Sequence, residues 1–260
     1  GFRYIESEHE PNIRIDSYET DEEVAISCEE NYGEDHLDFK KYPLQLLEVL
    51  KTHIENPSKK RLLDLNCNTG RLAMEASTIF KEVTAIDASA RFIRPAIELQ
   101  DSGLLRYVIK DEGELQLFKD VVLEDLNLDK TASRVAFKQD DVTKLKDHYS
   151  GYDVILMFNV LEELQNPSIV LKMIHDRLNA GGNLIIGSTY EWNEKISHKD
   201  NWIGGFKKNG EPVLSIDGIT HLLSDHFNMI TEHFDEVYAG RNSGMKFTIK
   251  HSEISIWKKK

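Results

Sequence analysis

The stretch from Arg61 to Ala76 reads RLLDLNCNTGRLAMEA. Residues 61–66 form a short apolar run, as a strand buried on both faces requires. Residues 70–80, GRLAMEASTIF, have helical spacing. The turn between them holds a single glycine, Gly70, with Asn66 and Asn68 at the other tight positions. A turn that wraps a pyrophosphate reads G-x-G-x-x-G, because its backbone must approach the phosphates closely. Asparagine enters positive φ at lower cost than most residues with a Cβ. The turn is therefore expected to follow a glycine-like path while holding something other than a pyrophosphate.

Outward from this unit, strands and helices alternate. EVTAID (82–87), RVAFKQDD (134–141), the strongly apolar YDVILMFNV (152–160) and NLIIGST (183–189) read as strands. ARFIRPAIELQDSG (90–103) reads as a helix, and NPSIVLKMIHDRLNAGG (166–182) as a helix closed by glycine. The alternation predicts βαβ units and a mostly parallel sheet with helices on both faces. After the helix SIDGITHLLSDHF (215–227), the segments NMITEHFDEVYA (228–239) and FTIKHSEISIWKK (247–259) predict an antiparallel hairpin at the C-terminal edge. Two helices come before the first strand: 16–33, capped by Asp16 or Ser17 and ended by Gly33, and 42–55, with Pro43 near its start. Residues 1–60 are thus expected to form a helical cap on a core of 61–260. Residues 104–133 occupy a connection where about 2–6 residues would do, and their alternation around Asp111-Glu112-Gly113 predicts a hairpin insertion.

The chain has 260 residues and a formal net charge of −13. Residues 1–40 carry 13 acidic and 3 basic side chains, so 10 of those negative charges lie there. Such a charge opposes the phosphate contacts that supply most nucleic-acid affinity. No apolar run approaches the roughly 20 residues of a membrane span. The start of the sequence lacks the apolar core of a secretory signal. The two cysteines, Cys28 and Cys67, have no metal-site spacing, and the ten histidines form no H-x-x-H or H-E-x-x-H pattern. The expectation is a metal-free cytoplasmic protein that binds neither nucleic acid nor membrane. His175, His198, His221 and His226 read as surface residues.

Ligands of an open parallel sheet bind beyond the carboxyl ends of its strands. Asp64, Asp87 and Asp141 stand at or near three such ends. An acid ending the second strand suits a ribose, in NAD and in S-adenosylmethionine alike; only the second lacks a phosphate, so the turn favours it. LDLNCNTG (63–70), AIDAS (85–89), QDDV (139–142) and LNAGGNLII (178–186) resemble the successive motifs of class I S-adenosylmethionine-dependent methyltransferases. The family has glycine where Asn66 and Asn68 stand. The resemblance implies a Rossmann-like fold with S-adenosylmethionine as cofactor and S-adenosylhomocysteine as product. It implies Asn66 and Gly70 at the methionine end, Asp87 at the ribose, and Asp141 with Val142 at the adenine, with Asp64 and Ala88 also among the cofactor-binding residues. Asn159 would face the methyl group.

Several segments are more narrowly similar to the methyltransferase module of ovothiol biosynthesis: 17–33, 87–115, 158–171, 188–219 and 247–258. The stretches LLRYVIKDEGELQLF (104–118) and NWIGGFKKNGEPV (201–213) are its most specific marks, while EEL at Glu162–Leu164 departs from it. That module methylates an imidazole nitrogen of 4-mercaptohistidine and is usually fused behind a 5-histidylcysteine sulfoxide synthase. The resemblance implies a small amino-acid acceptor, with this chain fused to or acting after such a synthase. An imidazole nitrogen has its own lone pair, so transfer needs alignment and the correct tautomer more than a strong base. Polar and aromatic residues should orient the acceptor. Tyr190, Trp192, Asn201 and Trp202 are candidates in a lid near 190–212, and Tyr18 and Tyr32 could close the same mouth from the cap. Asn159 and Tyr190 are the expected catalytic residues.

Overall fold

A computed structural model describes residues 20–35 and 37–260. Two helices, α1 (Asp21–Tyr32) and α2 (Tyr42–His53), lead to strand β1 (Arg61–Leu65). There follow α3 (Arg71–Ala76), β2 (Glu82–Asp87), α4 (Ala90–Ser102), the pair β3 (Leu104–Lys110) and β4 (Gln116–Val122), and β5 (Val135–Gln139). The second half runs through β6 (Tyr152–Phe158), α5 (Pro167–Met173), β7 (Leu178–Ser188), the pair β8 (Phe206–Lys208) and β9 (Glu211–Val213), and α6 (Ser215–Leu223). It ends in β10 (Phe227–Met229), β11 (Phe234–Arg241) and β12 (Phe247–Lys259).

The central sheet has the order β10-β12-β7-β6-β1-β2-β5, with β11 also pairing β12. The five strands from β7 to β5 are parallel, and β12 joins them antiparallel to β7. The order reverses at β1, between β2 on one side and β6 on the other, and Asp64 sits at that crevice opposite Ala85 and Leu156. The architecture is the expected α/β class with an antiparallel C-terminal edge, β11 and β12 pairing from Phe234↔Ile254 to Arg241↔Phe247.

Period-2 alternation divides the core into two layers. Leu62 of β1 and Val154, Leu156 and Phe158 of β6 pack under α2 and α3, with Leu50, Met74 and Phe80. Leu63, Leu65, Ile155 and Met157 point the other way, toward Leu161, Ile219 and Trp257. Leu62 and Leu63 are both fully buried. Truncating either to alanine would cost about 2–5 kcal/mol.

The cap is woven into the core. Tyr107 of β3 donates to Glu29 Oε2 of α1 (2.7 Å), Arg241 of β11 lies 3.8 Å from Glu29 Oε1, and Lys41 Nζ donates to the Glu29 carbonyl (3.0 Å). The β3–β4 hairpin forms a separate two-stranded sheet, and its end is tied to the β11–β12 turn by Gly244 N–H donating to Lys110 O at 2.9 Å.

Two local expectations change. Helix α1 is capped by Thr20, whose hydroxyl accepts from Glu23 N (3.1 Å); Asp16 and Ser17 lie outside the described residues. Helix α5 is not closed by glycine. It tightens into a short 3-10 turn, 174–177, and the chain enters β7 at Leu178. Burial of Leu178 opposite Tyr152 starts the strand early, and Gly181, at φ +70°, absorbs the register shift that follows.

Candidate active site

Asn66, Asn68 and Gly70 all have positive φ, at +77°, +54° and +84°. The turn therefore takes the backbone path of three glycines with only one. Gly70 is obligatory, because a Cβ there would lie 2.5 Å from Ala96 Cβ and 2.8 Å from the Phe137 ring. The asparagines add what glycine cannot. Asn66 Nδ2 donates to the carbonyls of Asn159 (3.0 Å) and Phe158 (3.4 Å), joining the ends of β1 and β6. Asn68 Oδ1 accepts from its neighbour Thr69 N (2.7 Å) and from the Ser27 hydroxyl of α1.

Asp87 holds the same turn from the end of β2. One carboxylate oxygen accepts from Asn68 N (2.9 Å) and the other from Ser89 N (2.9 Å), and the side chain is buried. Asp64 is also buried, yet its Oδ2 has no hydrogen-bond partner among the described residues. Burial, reinforced by the nearby Asp87 charge, lifts the Asp64 carboxyl to about 7.

A cavity of about 270 Å³ opens over this turn. Asp64, Asn66, Cys67, Asn68, Phe158 and Asn159 form its floor, α1 and α2 one wall, and Glu163, Tyr238 and Lys250 the far end. A second cavity, about 590 Å³, adjoins it and is lined by Glu162, Glu163, Thr189, Glu191, Trp192, Asn193 and Ile196. Asn159, Glu163, Tyr238 and Lys250 belong to both cavities and form the partition. Asn159, at φ +49°, donates to Tyr238 Oη (3.1 Å), while its own Oδ1 is buried without a partner among the described residues. The Tyr238 ring stacks on Tyr42 at 4.0 Å.

The first cavity suits a cationic ligand with an ammonium and a sulfonium. Unpartnered Asp64 Oδ2 and Asn159 Oδ1 can receive an ammonium, and among the described residues lining the cavity no cluster of phosphate-binding cations or glycine amides competes. The donor set fits S-adenosylmethionine. Ala88, Asp141 and Val142 lie beyond the walls of this cavity, at the ends of β2 and β5, as does Asp87. Asp141 Oδ1 caps the turn 142–144 by accepting from Thr143 N (2.8 Å) and Oγ1 (2.7 Å). Among the described residues, no three histidine, cysteine or acidic side chains gather as metal ligands would.

The expected acceptor residues separate. Trp192 lines the second cavity, its indole N–H held by Ser215 Oγ (2.8 Å). Trp202 stacks on it at 6.4 Å but lines the outer groove, and its own indole N–H donates to Ser197 O (3.0 Å). Asn201 ends a single 3-10 turn and lines neither cavity. Tyr190 departs most from expectation. At φ +53° its backbone turns the ring toward β12, where the hydroxyl donates to Glu253 Oε1 (2.9 Å). Tyr32 is likewise committed, donating to Thr69 O (2.6 Å) and pinning α1 to the turn. Tyr18 lies outside the described residues.

Glu163, Tyr238 and Lys250 were not anticipated. Tyr238 and Lys250 face each other only through the β11–β12 register, which no local pattern reveals. Glu163 had one outward sign, the doubled acid after the apolar β6 run. Its partner Glu162 is spent on structure, accepting from Ser188 Oγ (2.8 Å), Thr189 N (3.1 Å) and Thr189 Oγ1 (3.0 Å).

Residues 35–233 match the family model described as "Methyltransferase domain". The chain belongs to that family and is an S-adenosylmethionine-dependent methyltransferase. Among solved structures it is similar to magnesium protoporphyrin IX methyltransferase (ChlM) from Synechocystis PCC 6803 with bound S-adenosylhomocysteine. The identity is 14%, the match covers 90% of this chain and 93% of that one, and the TM-score is 0.55. It is also similar to the N-methyltransferase NodS from Bradyrhizobium japonicum WM9 in complex with S-adenosylhomocysteine, at 15% identity, 91% and 98% coverage and a TM-score of 0.51. A methyltransferase structure from Methanosarcina mazei matches at 17% identity over 81% of this chain and 96% of that one, with a TM-score of 0.51. A search of curated proteins found no match. Among the described residues no helix is long and apolar enough to cross a membrane.

Proposed function

We propose that this methyltransferase acts on a small zwitterionic amino acid, at an imidazole nitrogen of 4-mercaptohistidine. The observation that carries the reading is the pair of adjoining cavities. One is floored by the glycine-like turn, and the other, the larger, is lined by acidic side chains with Lys250 and by the aromatic rings of Trp192 and Tyr238. In this reading Asp64, Asn66, Gly70 and Asn159 surround the methionine end of the cofactor. Asp87 with Ala88 serves the ribose, and Asp141 with Val142 the adenine. When bound, the cofactor would supply an electrophilic methyl group.

The chain's own residues then align the acceptor. Trp192 offers a flat face to the imidazole, Glu191 and Glu163 offer carboxylates to cationic nitrogen, and Lys250, shared with Glu30, is the cation lining that cavity. Alignment of this kind supplies much of the rate when the nucleophile is already a good one. The net charge of −13 favours a small acceptor over nucleic acid in this reading. The chain acts after, or fused to, a sulfoxide synthase in the reducing cytoplasm; the free, buried Cys28 and Cys67 agree with that setting. No metal takes part in the reading.

Mass spectrometry of products tests it. The purified chain is incubated with S-adenosylmethionine and a panel of histidine, thiohistidine and unrelated small acceptors. A gain of one methyl group on the 4-mercaptohistidine ring supports the reading. Methylation of another acceptor, with every thiohistidine untouched, overturns it.

A further inference from the structure

We infer that Glu163, in the partition between the two cavities, is the base that removes the proton from the acceptor's nitrogen before methyl transfer. The inference rests on the small nitrogen acceptor proposed above and adds a residue and a protonation state to it.

The position is specific. Among the described residues, Glu163 is one of four lining both cavities, and it is the only carboxylate of the four. The other three are occupied or cannot serve as bases. Asn159 and Tyr238 are bonded to each other, and Lys250 is paired with Glu30 at 2.7 Å. Among the described residues no donor holds the Glu163 carboxylate, whereas its neighbour Glu162 has three. Two adjacent acids thus divide the work: one is fixed by the β7 end, and the other is left facing the chambers. Burial chiefly, helped by the charges of Glu162, Asp87 and Glu191 and opposed by Lys250, brings the Glu163 carboxyl to about 7. A base with that affinity is matched to an imidazolium, whose ordinary pKa is about 6.5.

The step balances. The acceptor arrives with its ring nitrogen protonated, in the charge state an acidic chamber favours. The nitrogen–hydrogen bond breaks, its electron pair stays on nitrogen, and the proton forms an O–H bond on Glu163. The freed lone pair then forms the nitrogen–carbon bond as the carbon–sulfur bond breaks. The positive charge passes from sulfonium to the methylated ring, and Glu163 later returns its proton to water.

Glu163→Gln and Glu163→Asp test the assignment with two readouts. The first is kcat at saturating acceptor from pH 5.5 to 9. The wild type should rise with an inflection near 7. The Gln variant should fall at least thirtyfold at pH 7 and keep only the acceptor's own titration, shifted from the wild-type inflection, and the Asp variant should recover part of the rate. The second is calorimetry of acceptor binding to the S-adenosylhomocysteine complex at pH 7 in two buffers of different ionisation enthalpy. The number of protons exchanged on binding should differ between the wild type and the Gln variant, with S-adenosylhomocysteine affinity within threefold in both. A Gln variant with kcat within threefold of wild type and an unchanged profile overturns the assignment. If thiohistidines are inert but another nitrogen acceptor is methylated, only the acceptor reading fails, and the same comparison is run on that acceptor. If only oxygen, sulfur or carbon is methylated, both fail.

Discussion

The side-chain amide of Asn66 donates to the main-chain carbonyl of Asn159 at 3.0 Å, so the first turn of the sheet positions the residue that separates the two cavities. This link bears on Asn66→Gly. Glycine would relax a backbone held at φ +77° but would remove the amide. Relief of about 1 kcal/mol offsets a lost hydrogen bond of about 0.5–1.5 kcal/mol. Thermal denaturation should therefore place Asn66→Gly within about 1 kcal/mol of wild type. Asn66→Ala, which loses the bond without the relief, should be about 1–2 kcal/mol worse than the glycine variant.

Gly70→Ala should be far more damaging. Its φ of +84° is strained for alanine, and the new methyl would collide with Ala96 and Phe137. Left-handed strain and overpacking together should cost about 2–5 kcal/mol, read as a large drop in melting temperature.

Asp64 predicts a pH dependence. Its carboxyl titrates near 7 in the folded chain, against about 3.9 when unfolded. Between those values the native state holds a proton that the unfolded chain has lost. This residue's contribution to stability therefore falls as pH rises through that window. An ammonium placed on Asp64 prefers the carboxylate, so affinity for S-adenosylhomocysteine should rise from pH 5 to about 7 and then level off. Asp64→Asn should flatten both curves. Calorimetric titration at several pH values checks this, and an unchanged slope in the variant would remove Asp64 from the ammonium site.

Asp87→Ala strands two backbone N–H groups of the turn as well as any ribose contact. It should weaken S-adenosylhomocysteine binding on the order of ten- to a hundredfold, and should lower stability too by about 1–3 kcal/mol. Loss of affinity with no loss of stability would mean that the carboxylate serves the ligand alone.

Tyr190→Phe separates a packing role from an acceptor role. Its hydroxyl is bonded to Glu253 on β12, away from both cavities. Methyl transfer and cofactor affinity should stay within about threefold of wild type, with a stability loss of about 1 kcal/mol. Trp192→Leu, by contrast, alters the wall of the second cavity and should lower kcat/KM for the acceptor at least tenfold.

Much of this was legible because it is local. The apolar β1 and β6 runs announced a parallel sheet, and Asn66 announced left-handed backbone, since few other residues accept it. The destinations of the turn's side chains were not legible: Asn66 reaches residues 92 and 93 positions away, and Ser27 reaches Asn68 across 41. The same limit hid Tyr238 and Lys250, which meet through strand pairing, and hid the bond between Tyr190 and Glu253 of β12, 63 residues away. The α5–β7 boundary failed for a related reason. Glycines read as helix terminators when they were absorbing a register shift within a strand.

Glu29 has a consequence for how the molecule opens. It joins α1 to β3 through Tyr107 and to β11 through Arg241, with only 0% of its surface exposed. Releasing any one of these elements alone would strip a partner from a carboxylate that water cannot reach. Backbone amides of α1, β3 and β11 should therefore exchange with solvent deuterium as one cooperative unit, at a common rate below that of the segment 190–212. Ligand traffic that needs α1 to lift must wait for that shared event, whereas traffic past Trp192 need not.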